Sequence, residues 1–131
     1  MEIVIVPDAD AAAAVVGGIL VDTVRNRPDA VLGLATGSSP LGAYRYVIDA
    51  IHRGDVSLRE ATAVLLDEYV GLPPDHAEGY RAFIRREFVD HTDLPRERLF
   101  GPDVHVDGAQ LPAACAAYEA LLRDLGGVDV Q

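Results

Sequence analysis

Three short apolar runs, each closed by a turn and followed by a helical pattern, constrain this chain more than any other feature. Residues 2–6, β-branched from Ile3 onward, stop at Pro7. Residues 30–35 (AVLGLA) stop at Thr36-Gly37-Ser38-Ser39-Pro40, and residues 63–66 (AVLL) stop at Asp67-Glu68. Runs this short, apolar on both faces, read as strands buried in a parallel sheet. Between them the apolar residues recur every three or four positions. Val15, Val16, Ile19, Leu20 and Val24 mark a first helix, capped by Asp8 or Asp10. Its Gly17-Gly18 pair would bring that helix close to a sheet. Leu41, Tyr44, Val47, Ile48 and Ile51 mark a second helix, beginning at Pro40 and stopped by Gly54. Residues 78–90 form a third, with Tyr80, Phe83, Ile84 and Phe88 inward. Residues 91–108 read as mostly loop, with turn signals at Leu94-Pro95 and Gly101-Pro102. Residues 112–125 form a last helix, whose apolar face carries Cys115 and Tyr118. Val128–Gln131 has the look of one more strand. Strands alternating with helices give an α/β fold with a mainly parallel sheet flanked by helices. The abrupt stop at Gln131 makes the expectation a truncated single domain, residues 1–131, belonging to something longer.

Composition removes several function classes. Half of the 131 residues are apolar, which suits a packed core, and the formal net charge is −10. Nucleic-acid binding needs a basic stripe to release counterions, and the basic residues here are scattered, so no nucleic-acid partner is expected. An anionic substrate would need a local trap against the overall field. No apolar run approaches the ~20 residues of a membrane span, and Met1–Pro7 lacks a basic leader, so neither a membrane anchor nor an export signal is expected. One cysteine excludes an intrachain disulfide and fits a reducing cytoplasm. His52, His76, His91 and His105 lack metal-ligand spacing and read as surface or loop histidines, so no metal is expected.

Two segments sit where α/β sheets bind ligands, at the carboxyl ends of strands. Thr36-Gly37-Ser38-Ser39-Pro40 joins a strand to a helix start. Its glycine allows a tight turn, and the helix start offers free N–H groups and a partial positive charge. With three hydroxyls added, it reads either as a phosphate cradle or as an ordinary capped turn. It lacks the Gly-Lys-Ser/Thr of a nucleotide loop and the spaced glycines of a dinucleotide fingerprint. Asp67-Glu68 follows the third strand. Adjacent strand residues face opposite ways, so one carboxylate faces the site and the other faces structure. A carboxylate there suits proton abstraction beside a carbonyl, or serves as a cap. Tyr69 and Tyr80 could line a pocket but read first as aromatic core, Arg45 could reach an anion but reads first as solvated, and Arg85-Arg86 read as solvated and Cys115 as inert packing.

The run Leu32–Leu41 resembles the phosphate loop of glucosamine-6-phosphate deaminases. Leu66-Asp67-Glu68-Tyr69-Val70-Gly71-Leu72-Pro73 resembles that family's second motif, and Glu78-Gly79-Tyr80-Arg81 the helix after it. The resemblance runs along nearly the whole chain, as the N-terminal half of the family. It implies a Rossmann-like α/β sandwich. It also implies conversion of glucosamine 6-phosphate to fructose 6-phosphate and ammonia, with no organic cofactor. It makes Asp67 the proton-transfer residue and Thr36, Gly37, Ser38 and Ser39 the phosphate holders; Glu68 is counted with the substrate-binding residues. The partner implied is a phosphorylated amino sugar, with homo-oligomers common in the family. The family's ring-opening Asp-Gly-His motif has no counterpart here. A 6-phosphogluconolactonase shares the architecture but tends to carry Asp-Glu-Arg where this chain has Asp67-Glu68-Tyr69. A non-catalytic sugar-phosphate-binding module is the remaining alternative.

Overall fold

The structure is a computed structural model that describes residues 3–74 and 76–131. The elements in chain order are α1 (Ala9–Asn26), β1 (Val31–Leu34), α2 (Leu41–His52), β2 (Thr62–Leu65), α3 (Tyr80–Glu87), β3 (Leu99–Phe100) and α4 (Leu111–Asp124), with short 3₁₀ turns around β3 and before α4. The strands form one parallel sheet in the order β1-β2-β3. Val31 pairs with Thr62 and Leu34 with Leu65, so β1 and β2 end level with each other. The other edge of β1 meets the last residues of the chain: Val130 bridges Leu32 in parallel. Gly33 N–H donates to Val130 O at 2.8 Å and Asp129 N–H to Val31 O at 2.9 Å. The Asp129 carboxylate accepts from Val31 N–H at 2.8 Å and from Arg27 at 2.5 Å.

The first expected strand is a correction. Met1 and Glu2 lie outside the described residues, and residues 3–6 are irregular, with Ile3 73% and Ile5 92% exposed. An extended segment becomes a strand only when its N–H and C=O groups find a neighbour. The free edge of β1 is already taken by Val130, and residues 3–6 pair with nothing among the described residues. Conversely, residues 91–108 contain a strand where loop was expected: β3 is two residues long, and its Leu99 and Phe100 pair with Ala63 and Val64.

Asp8 caps α1, its Oδ1 accepting from Ala11 N–H at 2.8 Å. The buried stripe of α1 is Gly17, Leu20, Val21 and Val24, whereas Val15, Val16 and Ile19 of the expected apolar face are exposed. Gly17 approaches α2 rather than a sheet, since a Cβ there would lie 2.6 Å from Tyr46 Cβ. A Cβ on Gly42 would lie 2.6 Å from Ala13 Cβ, so both glycines bring α1 and α2 together. Leu32, Leu34, Ala63 and Leu65 share one core with α1, α2, Ile84 of α3 and Phe88. Gly33 and Val64, on the opposite pleat, line a cleft with Leu122 of α4. The sheet is therefore covered on both sides, as parallel strands require. Cys115 of α4 is exposed, not packed as expected, and α4 has no fully buried residue. No described helix is long and apolar enough to cross a membrane.

Candidate functional site

The paired ends of β1 and β2 launch the two segments singled out in the sequence. Adjacent strands run about 4.8 Å apart, so Ala35 and Leu66, each one residue past the Leu34–Leu65 pair, leave from neighbouring points. After β3 the order of the sheet reverses: the chain lays down β1, β2 and β3 outward, then returns to the far edge of β1 at Val130. Such reversal points are where open α/β sheets leave a crevice, and the Thr36–Ser39 loop springs from the strand beside it.

Gly37 has φ +97°, a left-handed conformation that a side chain would oppose. That turn sends the chain from β1 into α2 within six residues. None of the main-chain N–H groups of Gly37, Ser38 and Ser39 has an acceptor among the described residues. They precede the positive end of a 12-residue helix. The loop's first residue is anchored from below: the Tyr44 hydroxyl donates to Ala35 O at 2.6 Å. Burial, partly offset by that hydrogen bond, pushes the Tyr44 phenol up to about 12.

Past β2, the two neighbouring carboxylates part company. Asp67 is exposed. Glu68, expected among the substrate-binding residues, has both oxygens engaged by the main chain. Its Oε1 accepts from Tyr80 N–H at 2.8 Å and Tyr69 N–H at 2.9 Å, and its Oε2 from Arg81 N–H at 2.8 Å. It thereby caps α3 from twelve residues away, a place where no local side chain does so. Burial alone would raise the Glu68 carboxyl. The three N–H groups and the Arg81 charge outweigh it and hold the group below its ordinary value. Arg81 is itself lowered, by burial first and then by the charge of Arg85.

Thr36 and Gly37 line a cavity of about 600 Å³ together with Tyr69, His76, Tyr80 and Arg86. Ser38, Ser39 and Asp67 are exposed and do not form its wall. Asp67 is nonetheless close enough for its charge to act on the Tyr80 phenol. That phenol is pushed up to about 12, by a hydrogen bond with Tyr69 first, then by burial, then by the charges of Tyr69, Asp67 and Glu68. The rings of Tyr69 and Tyr80 stand 4.6 Å apart at 46°. Tyr69 is exposed and Tyr80 half-buried, so they form a cavity wall rather than the core expected of them. Arg86, expected on a solvated face, is also part of that wall. It lies 5.4 Å over the Phe83 ring and pairs with Glu87 at 2.8 Å. Spacing held the missed signal: Tyr80, Phe83 and Arg86 are three residues apart and so share a helix face. His76 accepts from Glu78 N–H at Nδ1, 3.2 Å away, which leaves its other nitrogen to carry the proton.

No protein-family model matches the chain. The glucosamine-6-phosphate deaminase of Mycolicibacterium smegmatis is 46% identical over all 131 residues, which span 49% of that protein. That of Beutenbergia cavernae is 49% identical over the same extent, again 49% of its length. Among solved structures, a monomeric glucosamine-6-phosphate deaminase superposes with a TM-score of 0.93 at 36% identity, covering all of this chain and 54% of that one. The 6-phosphogluconolactonase of Trypanosoma brucei shares the fold, with a TM-score of 0.71 at 17% identity over 93% of this chain and 49% of that one. The chain thus spans about half the length of the curated relatives it matches, and over the whole of its own length it is similar to glucosamine-6-phosphate deaminases.

Proposed function

We propose that these residues supply the phosphate grip and the proton-transfer base of a glucosamine 6-phosphate deaminase. The observation that carries the reading is the level ending of β1 and β2, with unpaired amides beyond one strand and the Asp67 carboxylate beyond its neighbour. The amides of Gly37, Ser38 and Ser39, with the hydroxyls of Thr36, Ser38 and Ser39, receive the phosphate at a helix start. Fixing that end of an open-chain amino sugar removes rotational freedom and holds its carbon chain toward Asp67. Asp67 takes the proton from carbon 2 and returns it to carbon 1. The carbon–nitrogen bond becomes an imine, and water hydrolyses it to fructose 6-phosphate and ammonia. General-base assistance of this kind contributes about 10²–10⁴-fold. Among the residues assigned here none opens the sugar ring, so the proposed share is binding and the carbon 2 to carbon 1 transfer. The phosphorylated amino sugar is the proposed partner, in a cytoplasmic setting that the single cysteine suits.

The test is deuterium incorporation at carbon 2 of glucosamine 6-phosphate in heavy water, alongside binding of the same sugar phosphate. Asp67→Asn should abolish incorporation while leaving affinity within about threefold, since the phosphate loop is untouched. Retained incorporation in that variant removes Asp67 from the role. Lactone hydrolysis in place of ammonia release would move the chain to the neighbouring chemistry.

A further inference from the structure

The Glu68 carboxylate joins the loop after β2 to the start of α3, alongside the contact between the Tyr69 and Tyr80 rings. It leaves the tip of β2 one residue after Asp67. It gathers the N–H groups of Tyr69, on its own loop, and of Tyr80 and Arg81, at the start of α3. α3 in turn carries Tyr80, Phe83 and Arg86 into the cavity wall. Gly79, at the cap position of α3, packs tightly on the loop before it: a Cβ there would stand 3.2 Å from His76 O and in ordinary contact, 3.7 Å, with both Glu68 oxygens. Three charge-assisted hydrogen bonds to one carboxylate are far stronger than the contact of a solvated glutamate. The backbone between Glu68 and Tyr69 is thereby pinned to a helix, and Asp67 has the pinned residue as its immediate neighbour.

The geometry points to Glu68 as a positioning residue that holds Asp67 and the Tyr69–Tyr80 wall in one arrangement without touching the sugar itself. The inference rests on the proposed function for what Asp67 does, but the clamp can be read separately. Arg81 contributes from the far side: its Nη1 donates to Leu99 O at 2.8 Å, so the clamped helix start is also tied to β3. The clamp therefore links the tip of β2 to its neighbouring strand through α3. Loosening it would let Asp67 drift relative to the Thr36–Ser39 loop, which is built on β1 and α2 and has its own anchor in Tyr44.

The experiment compares the purified protein with Glu68→Gln, Glu68→Asp and Glu68→Ala, each first checked for native helix content by circular dichroism. Two readouts are taken: amide hydrogen exchange, and glucosamine 6-phosphate binding with deuterium incorporation at carbon 2. A glutamine keeps the shape but loses the charge and one acceptor, and an aspartate is too short to reach α3. The amides of Tyr69, Tyr80 and Arg81 should exchange about 10- to 100-fold faster in the variants, while those of Leu32–Leu34 stay within about twofold. Carbon 2 incorporation should fall about tenfold or more with affinity changed less than about threefold, and Gln should restore more than Ala. A merely structural glutamate would lower affinity and incorporation together. Unchanged amide exchange in Glu68→Ala overturns the clamp, and unchanged carbon 2 incorporation overturns its positioning role. Should the unmodified protein fail to bind the sugar phosphate, the proposed function falls, and the amide readout still decides the clamp.

Discussion

Gly17 and Gly18 are neighbours in one helix and should respond oppositely to the same change. Replacing either with alanine gains about 1 kcal/mol of helix propensity. At Gly18 nothing lies within 4 Å of the added methyl, so Gly18→Ala keeps that gain. At Gly17 the methyl would stand 2.6 Å from Tyr46 Cβ and 2.7 Å from Tyr46 Cγ, well inside the roughly 3.5–4.0 Å of a normal carbon contact. Turning the Tyr46 ring moves its Cγ and leaves its Cβ in place, so α1 and α2 must separate. Separation also loosens the Gly42–Ala13 contact further along the pair. Overpacking of this kind costs about 1–3 kcal/mol. Gly17→Ala should then be neutral to about 2 kcal/mol less stable than the parent, and about 1–3 kcal/mol below Gly18→Ala. With a urea slope of about 1–3 kcal/mol per molar, the two variants' midpoints should differ by on the order of 1 M. Equilibrium urea unfolding followed by circular dichroism measures this. Equal midpoints, or Gly17→Ala the more stable, would refute the close crossing of α1 and α2.

Three further outcomes are expected. Gly37→Ala forces a side chain into a left-handed turn, so it should lower stability by about 1–2 kcal/mol and weaken sugar-phosphate binding, both measurable by urea unfolding and calorimetry. The Glu68 carboxyl is held below its ordinary 4.5 in the folded state, so its stabilisation is complete above that value and fades as pH falls through the lower folded value; urea midpoints between pH 6 and pH 2 should decline less steeply in Glu68→Gln. Cys115 is exposed, so a thiol reagent should label the native protein without denaturant, and labelling that waits for unfolding would contradict its position on α4.

β1 and β2 were legible because strands buried on both faces show as unbroken apolar runs, and the turn chemistry after each run was equally plain. Residues 3–6 carry the same signature and are not a strand, because strand formation also needs an available edge, which is a property of the whole fold. α1 has two apolar stripes, and only tertiary packing decides that Leu20 and Val24 go inside while Val15 and Ile19 stay out. β3 is too short for any periodicity to register. Thr36, Gly37 and Asp67 were singled out from loop chemistry at strand ends; the first two line the cavity, and Asp67 is exposed outside its wall. The expected division of labour between Asp67 and Glu68 followed from pleat geometry alone. The particular task of Glu68 was hidden, since capping a helix that starts twelve residues later leaves no local pattern. Tyr69, Tyr80 and Arg86 were misplaced because aromatic and basic residues serve core, rim and solvent alike.

Asp129 holds Val31 across a separation of 98 positions. Contacts so remote in the chain are assembled against a large loop-closure entropy. The neighbourhood of β1 and β2 can form from nearby segments, whereas fastening the far edge of β1 waits for residues near position 130. The strand that supports the Thr36–Ser39 loop is therefore shielded on its outer side only after the residues near position 130 have docked, and weakening the Asp129–Arg27 pair should slow that docking more than it disturbs the α1–α2 layer.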